Sequence, residues 1–181
     1  MKVYFYEGYE GGQEESRALL LYALNDFLDE SYDKDDIGIG DMGKPYLKDG
    51  RAEFSVSHSK KLWMVAISDA LIGADLEVSK DKDKDKIAKK IFSELENRYI
   101  ELWGEYGFYR LWTRREALIK ALGLSVFDKM PELVDLNHDL VDSININGTD
   151  YYLNDVEIAD DIFCAVCSIK DNMQIEMEMI N

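Results

Sequence analysis

The segment Gly73-Ala74-Asp75-Leu76-Glu77-Val78 has the most informative residue pattern in this sequence. Its alternation of small or apolar residues with acidic ones is typical of a β-strand, in which successive side chains point to opposite faces. We therefore expect the apolar members to enter a core, whereas Asp75 and Glu77 emerge side by side on the other face. The stretch predicts two carboxylates on one small surface.

A second stretch, Trp112-Thr113-Arg114-Arg115-Glu116-Ala117-Leu118-Ile119-Lys120, has the pattern of a helix. The helical period places Trp112, Glu116 and Lys120 on one stripe, each four residues from the next. If this helix meets the strand, a third carboxylate and a lysine join the first two acids. Such a set suits Mg²⁺ carrying a phosphate ester, because Mg²⁺ prefers hard oxygen ligands and is usually held by few carboxylates plus substrate phosphates.

Taken one at a time, both stretches also have a simpler interpretation. An Asp-x-Glu pair on a strand is more often part of a solvated sheet face than of a metal site. Glu116 and Lys120, four residues apart, form a common type of ion pair on a helix surface. The residue pattern alone leaves a metal site and ordinary surface charges as alternatives.

Composition and charge limit the classes of function. The chain has 181 residues, 46% of them hydrophobic, and a formal net charge of -16, which indicates a globular protein and argues against nucleic acid as its main partner. Its longest apolar run, Ala18 to Leu24, is far shorter than the roughly 20 residues of a membrane span. The N-terminal segment lacks the cleavage site of a signal peptide. We expect no membrane association and a cytoplasmic location.

Periodicity and turn residues divide the chain into strand, helix, strands, linker, helices and strands. The predicted strands cover residues 2–6, 54–59, 63–68, 71–78, 143–146, 150–158, 162–169 and 174–179. The predicted helices cover residues 14–28, a segment capped by Ser93, and residues 106–122, which Gly123 ends. Strands 63–68 and 71–78 are expected to pair across a short turn, and residues 31–42 to form a surface loop.

Lys80-Asp81-Lys82-Asp83-Lys84-Asp85-Lys86 marks the expected boundary between two halves of the chain. We expect an N-terminal lobe of residues 1–79, a charged linker of residues 80–86 and a C-terminal lobe of residues 87–181, which together make one integrated domain. The fold class is α+β, with two similar α/β lobes and mostly antiparallel sheets. The charged run is interpreted as a solvated connector or as a docking strip for a partner.

Cys164 and Cys167 lie in a segment with the β-branched and aromatic composition of a strand. A separation of three residues puts their sulfurs on opposite faces of that strand. The sequence contains no second cysteine pair that would complete a zinc site. We expect two ordinary strand cysteines.

Four motifs in a fixed order resemble one protein family. The motifs are Gly43-Lys44-Pro45-Tyr46, Ser57-His58-Ser59, Ile72 to Glu77, and Trp112 to Gly123. Together they resemble the 4′-phosphopantetheinyl transferase superfamily, in particular its Sfp type with two pseudo-symmetric lobes in one chain. They span a little under half of the sequence, and the last two are the most specific.

The resemblance implies an activity and an architecture. The protein would move the phosphopantetheine arm of coenzyme A onto a serine of an apo acyl or peptidyl carrier protein, releasing adenosine 3′,5′-bisphosphate. The two lobes would be related by a pseudo-twofold arrangement, with the active site in the cleft between them. Because two lobes in one chain remove the need for a dimer, we expect a monomer.

The resemblance also implies roles for individual residues. Asp75, Glu77 and Glu116 would hold Mg²⁺, Glu116 would act as base toward the attacking serine, and Lys120 would neutralise the pyrophosphate or the leaving oxygen. The expected coenzyme A contacts are Lys44, Ser57, His58, Arg115 and Lys120. The chain departs from the family pattern at Arg115, where lysine is usual, and in the N-terminal region, where Arg17 is the only base of the first helix.

Two other classes of function are weighed against this one. Another Mg²⁺-dependent phosphoryl enzyme, such as a nuclease, is disfavoured because no lysine follows Glu77 two positions later and because the acidic surface repels nucleic acid. A non-catalytic protein that binds metal or a partner is the second alternative. For an often acidic carrier, a docking face is expected around Arg110, Arg114 and Arg115.

Overall fold

The computed structural model describes residues 1–40, 43–79, 84–125, 128–171 and 174–181. The strands are β1 (Lys2–Glu7), β2 (Ile37–Ile39), β3 (Pro45–Leu47), β4 (Glu53–Ser59), β5 (Leu62–Ser68), β6 (Ile72–Val78), β7 (Ser143–Ile146), β8 (Thr149–Asp155), β9 (Ile162–Ser168) and β10 (Glu176–Ile180). The helices are α1 (Gln13–Leu28), α2 (Lys84–Ile91) and α3 (Glu94–Leu122), and one 3₁₀ turn covers Lys34–Asp36.

The strands of the described chain form two four-stranded sheets and one small ribbon. The first sheet has the order β10-β1-β5-β4, the second has the order β6-β9-β8-β7, and β2 pairs with β3. Among these described strands, every pairing is antiparallel except that of β1 with β10. The predicted α+β class with mostly antiparallel sheets is confirmed.

The predicted pairing of β5 with β6 is wrong. β5 pairs with β1 and β4, whereas β6 pairs with β9 in the other sheet. The short turn between them therefore carries the chain from one sheet to the next. A hairpin and such a crossing look alike locally, because both need only two strands and a few turn residues.

The predicted surface loop of residues 31–42 also needs correction. It contains the 3₁₀ turn and β2, which forms a ribbon with β3. Gly38 of β2 faces the ring of Tyr46, and a Cβ on Gly38 would lie 2.4 Å from that ring. Residues 41 and 42 lie outside the described part of the chain.

Two strands belong to the sheet on the other side of the predicted domain boundary. β10, the last strand, joins the first sheet beside β1, and β6, which precedes the boundary, belongs to the second sheet. Residues 84–86 differ from the predicted connector because they form the first turn of α2, and residues 80–83 lie outside the described chain. The division into two lobes with a cleft stays a prediction.

Three apolar clusters separate the layers of the fold. One lies between α1 and the first sheet, one between the two sheets, and one between the second sheet and α3. Cys164 belongs to the cluster between the sheets and Cys167 to the cluster under α3; both are buried and free. This confirms two strand cysteines on opposite faces.

α3 joins the two helices predicted for this region. Ser93 caps its start in a capping box with Glu96, and Gly123 ends it in a left-handed conformation, as predicted. Gly104 has non-helical angles and kinks the helix between the two predicted segments. None of the helices among the described residues is both long and apolar enough to cross a membrane.

Candidate active site

Gly73 lets α3 lie directly on β6. A Cβ on Gly73 would be 2.0 Å from the backbone oxygen of Ala117 and 2.4 Å from the backbone nitrogen of Ala121. Only glycine avoids this contact, because it has no side chain to separate the two backbones. The close approach brings Glu116 and Lys120 of α3 to the acidic face of β6.

The predicted stripe of Trp112, Glu116 and Lys120 is confirmed. These three residues are partly exposed, whereas the residues between them are buried. Trp112 stacks on Phe108, with ring centroids 6.0 Å apart, and meets Phe92 edge-on at 6.4 Å. The tryptophan anchors the start of the stripe in the apolar cluster under α3, and the two charged residues continue it.

Asp75 is the most buried of the predicted ligands. It is only 6% exposed, so it does not lie on an open surface as its alternation suggested. Its Oδ1 accepts hydrogen bonds from Lys120 Nζ at 2.7 Å and from Ser57 Oγ at 2.8 Å. Burial raises the pKa of Asp75, although Lys120 and Ser57 act in the opposite direction.

The helix-surface ion pair between Glu116 and Lys120 does not form. Lys120 instead reaches across to β6, where it pairs with Asp75 and donates to the backbone oxygen of Ala74 at 3.0 Å. Burial raises the pKa of Glu116, and the negative charges of Asp75 and Glu77 raise it further. The three carboxylates therefore lie close enough to repel one another.

Glu77 continues the acidic face of β6. It is partly buried, and its Oε2 accepts a hydrogen bond from Ser59 Oγ at 2.8 Å. All three acids offer the hard oxygen donors that Mg²⁺ takes, so the donor set fits that ion by chemistry. In the described part of the chain, however, no three His, Cys, Asp or Glu side chains are already grouped as a metal site.

Lys44, a predicted phosphate contact, donates hydrogen bonds to backbone oxygens. Its ammonium donates to the backbone oxygens of Ile72 at 3.1 Å and of Lys120 at 3.2 Å. Burial lowers its pKa. Since Lys120 lies in the last turn of α3, Lys44 ties the helix end to the start of β6.

His58 and Arg17 line a cavity of about 650 Å³. The side chain of His58 is exposed and lies against Tyr9, with ring centroids 5.1 Å apart. The other lining residues come from the start of α1, the β2–β3 ribbon and β4: Tyr9, Gly12, Gln13, Ser16, Leu20, Ile37, Ile39, Gly43, Pro45 and Val56. Arg17, the only basic residue of α1, and His58, the histidine predicted to contact coenzyme A, therefore line the same cavity.

Arg115 points into the protein. It is 5% exposed, and its Nη2 lies 2.8 and 2.7 Å from the two carboxylate oxygens of Glu96, which is fully buried. Its guanidinium also lies over the ring of Phe92 at 5.0 Å. The predicted contact of Arg115 with coenzyme A stays a prediction, and these contacts favour a structural role.

The predicted docking face around three arginines is wrong for two of them. Arg114 and Arg115 are buried, at 4% and 5% exposure. Arg110 and Arg114 both pair with Asp155 at the end of β8. The ion pairs of Arg110 and Arg114 with Asp155 hold α3 to the second sheet, whereas Arg115 pairs with Glu96 within α3.

Two residues that bond to predicted site residues were not assigned from the sequence, Ser59 beside Glu77 and Glu96 beside Arg115. Ser59 belongs to the Ser-His-Ser motif, and the serines at every second position of β4 were the signal that could have identified it. Glu96 was recognised only as a helix cap. Its pairing with Arg115 joins positions 19 residues apart, and no local pattern predicts such a contact.

The sequence model of the 4′-phosphopantetheinyl transferase superfamily matches residues 71–167, more than half of the chain. The chain belongs to this superfamily. The matched segment contains both elements of the site, β6 and α3, and the four residues Asp75, Glu77, Glu116 and Lys120. The resemblance seen in the motifs is thus confirmed.

Individual members of the superfamily are similar to this chain at modest identity. The 4′-phosphopantetheinyl transferase gsp of Aneurinibacillus migulanus is 36% identical over 93 residues, which are 48% of this chain and 38% of that protein. The transferase Sfp of Bacillus subtilis strain 168 is 29% identical over 162 residues, or 82% and 70% of the two chains. AcpT of Salmonella typhi is 28% identical over 143 residues, or 72% and 71%. The chain therefore spans less than half of the first relative.

Proposed function

We propose that the protein transfers the 4′-phosphopantetheine arm of coenzyme A to a serine of an apo acyl or peptidyl carrier protein, which releases adenosine 3′,5′-bisphosphate. The observation that carries this proposal is the convergence of Asp75, Glu77, Glu116 and Lys120 within the segment that matches the superfamily. The names of the similar transferases support it. The protein is further proposed to act as a cytoplasmic monomer.

Asp75, Glu77 and Glu116 are the proposed ligands of Mg²⁺. The ion would withdraw charge from the phosphorus and stabilise the leaving bisphosphate. The support comes from the donor set: the pKa of Glu116 is raised by burial and by the two acids of β6, a repulsion that a cation relieves. Lys120 already supplies one positive charge beside Asp75.

Glu116 is also the proposed base toward the attacking serine hydroxyl. Burial is the largest cause of its raised pKa and persists when a cation relieves the repulsion from Asp75 and Glu77, and a carboxylate with a raised pKa is a better proton acceptor than an exposed glutamate. Among the described residues its carboxylate has no hydrogen-bond or ion-pair partner, so an incoming hydroxyl can approach it. The proton would pass from the serine oxygen to this carboxylate, while Lys120 neutralises charge on the leaving oxygen.

The cavity beside α1 is proposed to hold the nucleotide end of coenzyme A. Its volume of about 650 Å³ is in the range of small-molecule sites. His58 and Arg17 bring the polar and positive groups that a phosphate needs. For Lys44 and Ser57 to contact a phosphate as predicted, each would have to exchange its present partner.

The test is incubation of the protein with Mg²⁺, coenzyme A and several apo carrier proteins, followed by mass spectrometry. We expect one carrier to gain the mass of the phosphopantetheine arm. Asp75→Asn and Glu116→Gln should lose this activity, while Glu101→Gln, an exposed glutamate on the same helix, keeps it. The proposal fails if the folded wild-type protein modifies no carrier beside an active control enzyme, or if Asp75→Asn works as well as wild type.

A further inference from the structure

Three serines of β4 join the two sheets through their hydroxyl groups. Ser55, Ser57 and Ser59 are buried and face the edge of β6 that is not paired with β9. Each hydroxyl oxygen accepts a hydrogen bond from one backbone amide of β6. The donors are the amides of Ala74 at 2.9 Å, Leu76 at 3.2 Å and Val78 at 3.1 Å. Side chains thus replace a backbone ladder between β4 and β6.

The three hydroxyl protons go to different acceptors. Ser57 donates to Oδ1 of Asp75 and Ser59 donates to Oε2 of Glu77, both at 2.8 Å. Ser55 donates to the backbone oxygen of Ala74 at 3.4 Å. A hydroxyl has one proton, and the hydrogen bond that it accepts from a backbone amide fixes the position of its oxygen. Ser57 and Ser59 are therefore held in place and aimed at carboxylates.

Hydrogen bonds that hold one oxygen of a carboxylate in place also fix the direction of the other oxygen. Both side-chain hydrogen bonds to Asp75, from Ser57 and from Lys120, end on Oδ1. Among the described residues, Oδ2 accepts no hydrogen bond. The carboxylate is thus oriented by the protein before any ligand arrives, which reduces the ordering that a bound cation would require.

We propose that Ser57 and Ser59 are positioning residues that orient Asp75 and Glu77 toward a divalent cation, whereas Ser55 only joins the sheets. This inference rests on the proposed function, which puts the cation at these acids. Ser55 is a matched control within the same strand. It is as buried as the other two and accepts the same kind of hydrogen bond from a backbone amide, but it donates its own proton to a backbone oxygen.

The experiment measures Mn²⁺ binding to the purified full chain by electron paramagnetic resonance. Mn²⁺ stands in for Mg²⁺ because it takes the same oxygen ligands. Coenzyme A is left out, so that any contact of Ser57 with the nucleotide does not enter the result. Urea unfolding of each variant in metal-free buffer is measured in parallel, which separates orientation of the carboxylates from general stability.

We expect Ser59→Ala and Ser57→Ala to bind Mn²⁺ about 10-fold more weakly than wild type, the lower end of the loss for groups that orient metal ligands. Ser55→Ala should lose a similar amount of stability but bind Mn²⁺ within about twofold of wild type, since no carboxylate depends on it. Ser59→Thr keeps the hydroxyl and should restore most of the affinity.

Two results would overturn the inference, and they differ in what else they affect. If Ser59→Ala and Ser55→Ala bind Mn²⁺ equally well, the serines only join the sheets, and the proposed function is untouched. If Asp75→Asn binds Mn²⁺ as tightly as wild type, the cation is not at this site. In that case the metal assignment of the proposed function fails together with the inference.

Discussion

Replacing Gly73 by alanine tests how closely strand β6 and helix α3 must pack. The added methyl carbon would lie 2.0 Å from the backbone oxygen of Ala117, about 1.4 Å less than the 3.4 Å of an ordinary contact. The second contact, 2.4 Å to the nitrogen of Ala121, is also with backbone. No side-chain rotation relieves either contact, so the helix itself must move.

The size of the effect follows from this displacement. Forcing a methyl group into a packed core costs about 1–3 kcal/mol, and because two backbone contacts are violated we expect the upper part of that range. A misplacement of about 1 Å at a reacting centre can cost about 100-fold in rate, so kcat/KM should fall by about that factor as Glu116 and Lys120 move away from Asp75. Without the clash, Gly→Ala would stabilise the protein by about 0.4–1 kcal/mol through the unfolded state.

Urea unfolding followed by circular dichroism measures the first effect, and carrier modification followed by mass spectrometry measures the second. Gly40→Ala is the matched control, because its Cβ would meet nothing closer than 3.4 Å and its φ is not positive. That variant should keep wild-type activity, and because it meets no clash it should be as stable as wild type or up to about 1 kcal/mol more stable. An unfolding midpoint of Gly73→Ala at or above that of wild type would refute the packing argument, whatever the protein's activity.

Three more predictions concern charge and burial in the same layers. Burial and neighbouring carboxylates raise the pKa of Glu116 above its usual 4.5. The folded state is therefore most stable, with respect to this group, below pH 4.5, and that stability is lost as the pH rises through the raised pKa. Glu116→Gln should therefore unfold at higher urea than wild type at neutral pH without metal, and this advantage should disappear below pH 4.5; equal midpoints at neutral pH would contradict it. Glu96→Gln should cost about 3–5 kcal/mol in urea unfolding, because it leaves the buried Arg115 without its anion; the double variant with Arg115→Met should recover part of that loss, and a single variant as stable as wild type would exclude a structural ion pair. Burial raises the pKa of Cys167 to about 12 and that of Cys164 well above its usual range, so a thiol reagent at mildly alkaline pH should react with both only after unfolding; rapid labelling of the folded protein would show that the strand is open.

The parts of the site that could be predicted depend on short-range periodicity. Alternation along β6 put Asp75 and Glu77 on one face, and the helical period put Glu116 and Lys120 on one stripe. Capping residues at Ser93 and Gly123 marked the ends of α3, although not its continuity through Gly104. These features are determined by backbone geometry within a few residues, so a single segment contains the information.

The partners of charged side chains could not be predicted in the same way. Lys44 resembled a phosphate ligand but bonds two backbone oxygens, and Arg115 pairs with Glu96. Lys120 pairs with Asp75 rather than with its helix neighbour Glu116. In each case the partner is distant in the sequence, and burial decides which distant groups meet.

Motifs and short-range patterns were enough to predict the superfamily, the α+β class and the four residues that meet where β6 and α3 cross. The folded chain adds that β6 belongs to the second sheet, whereas β5 before it belongs to the first, and that the buried Asp75 is held by Lys120 and Ser57. These side-chain contacts form because buried polar groups must find hydrogen-bond partners. On β6 those partners come from β4 and α3, two elements that reach it only in the folded chain.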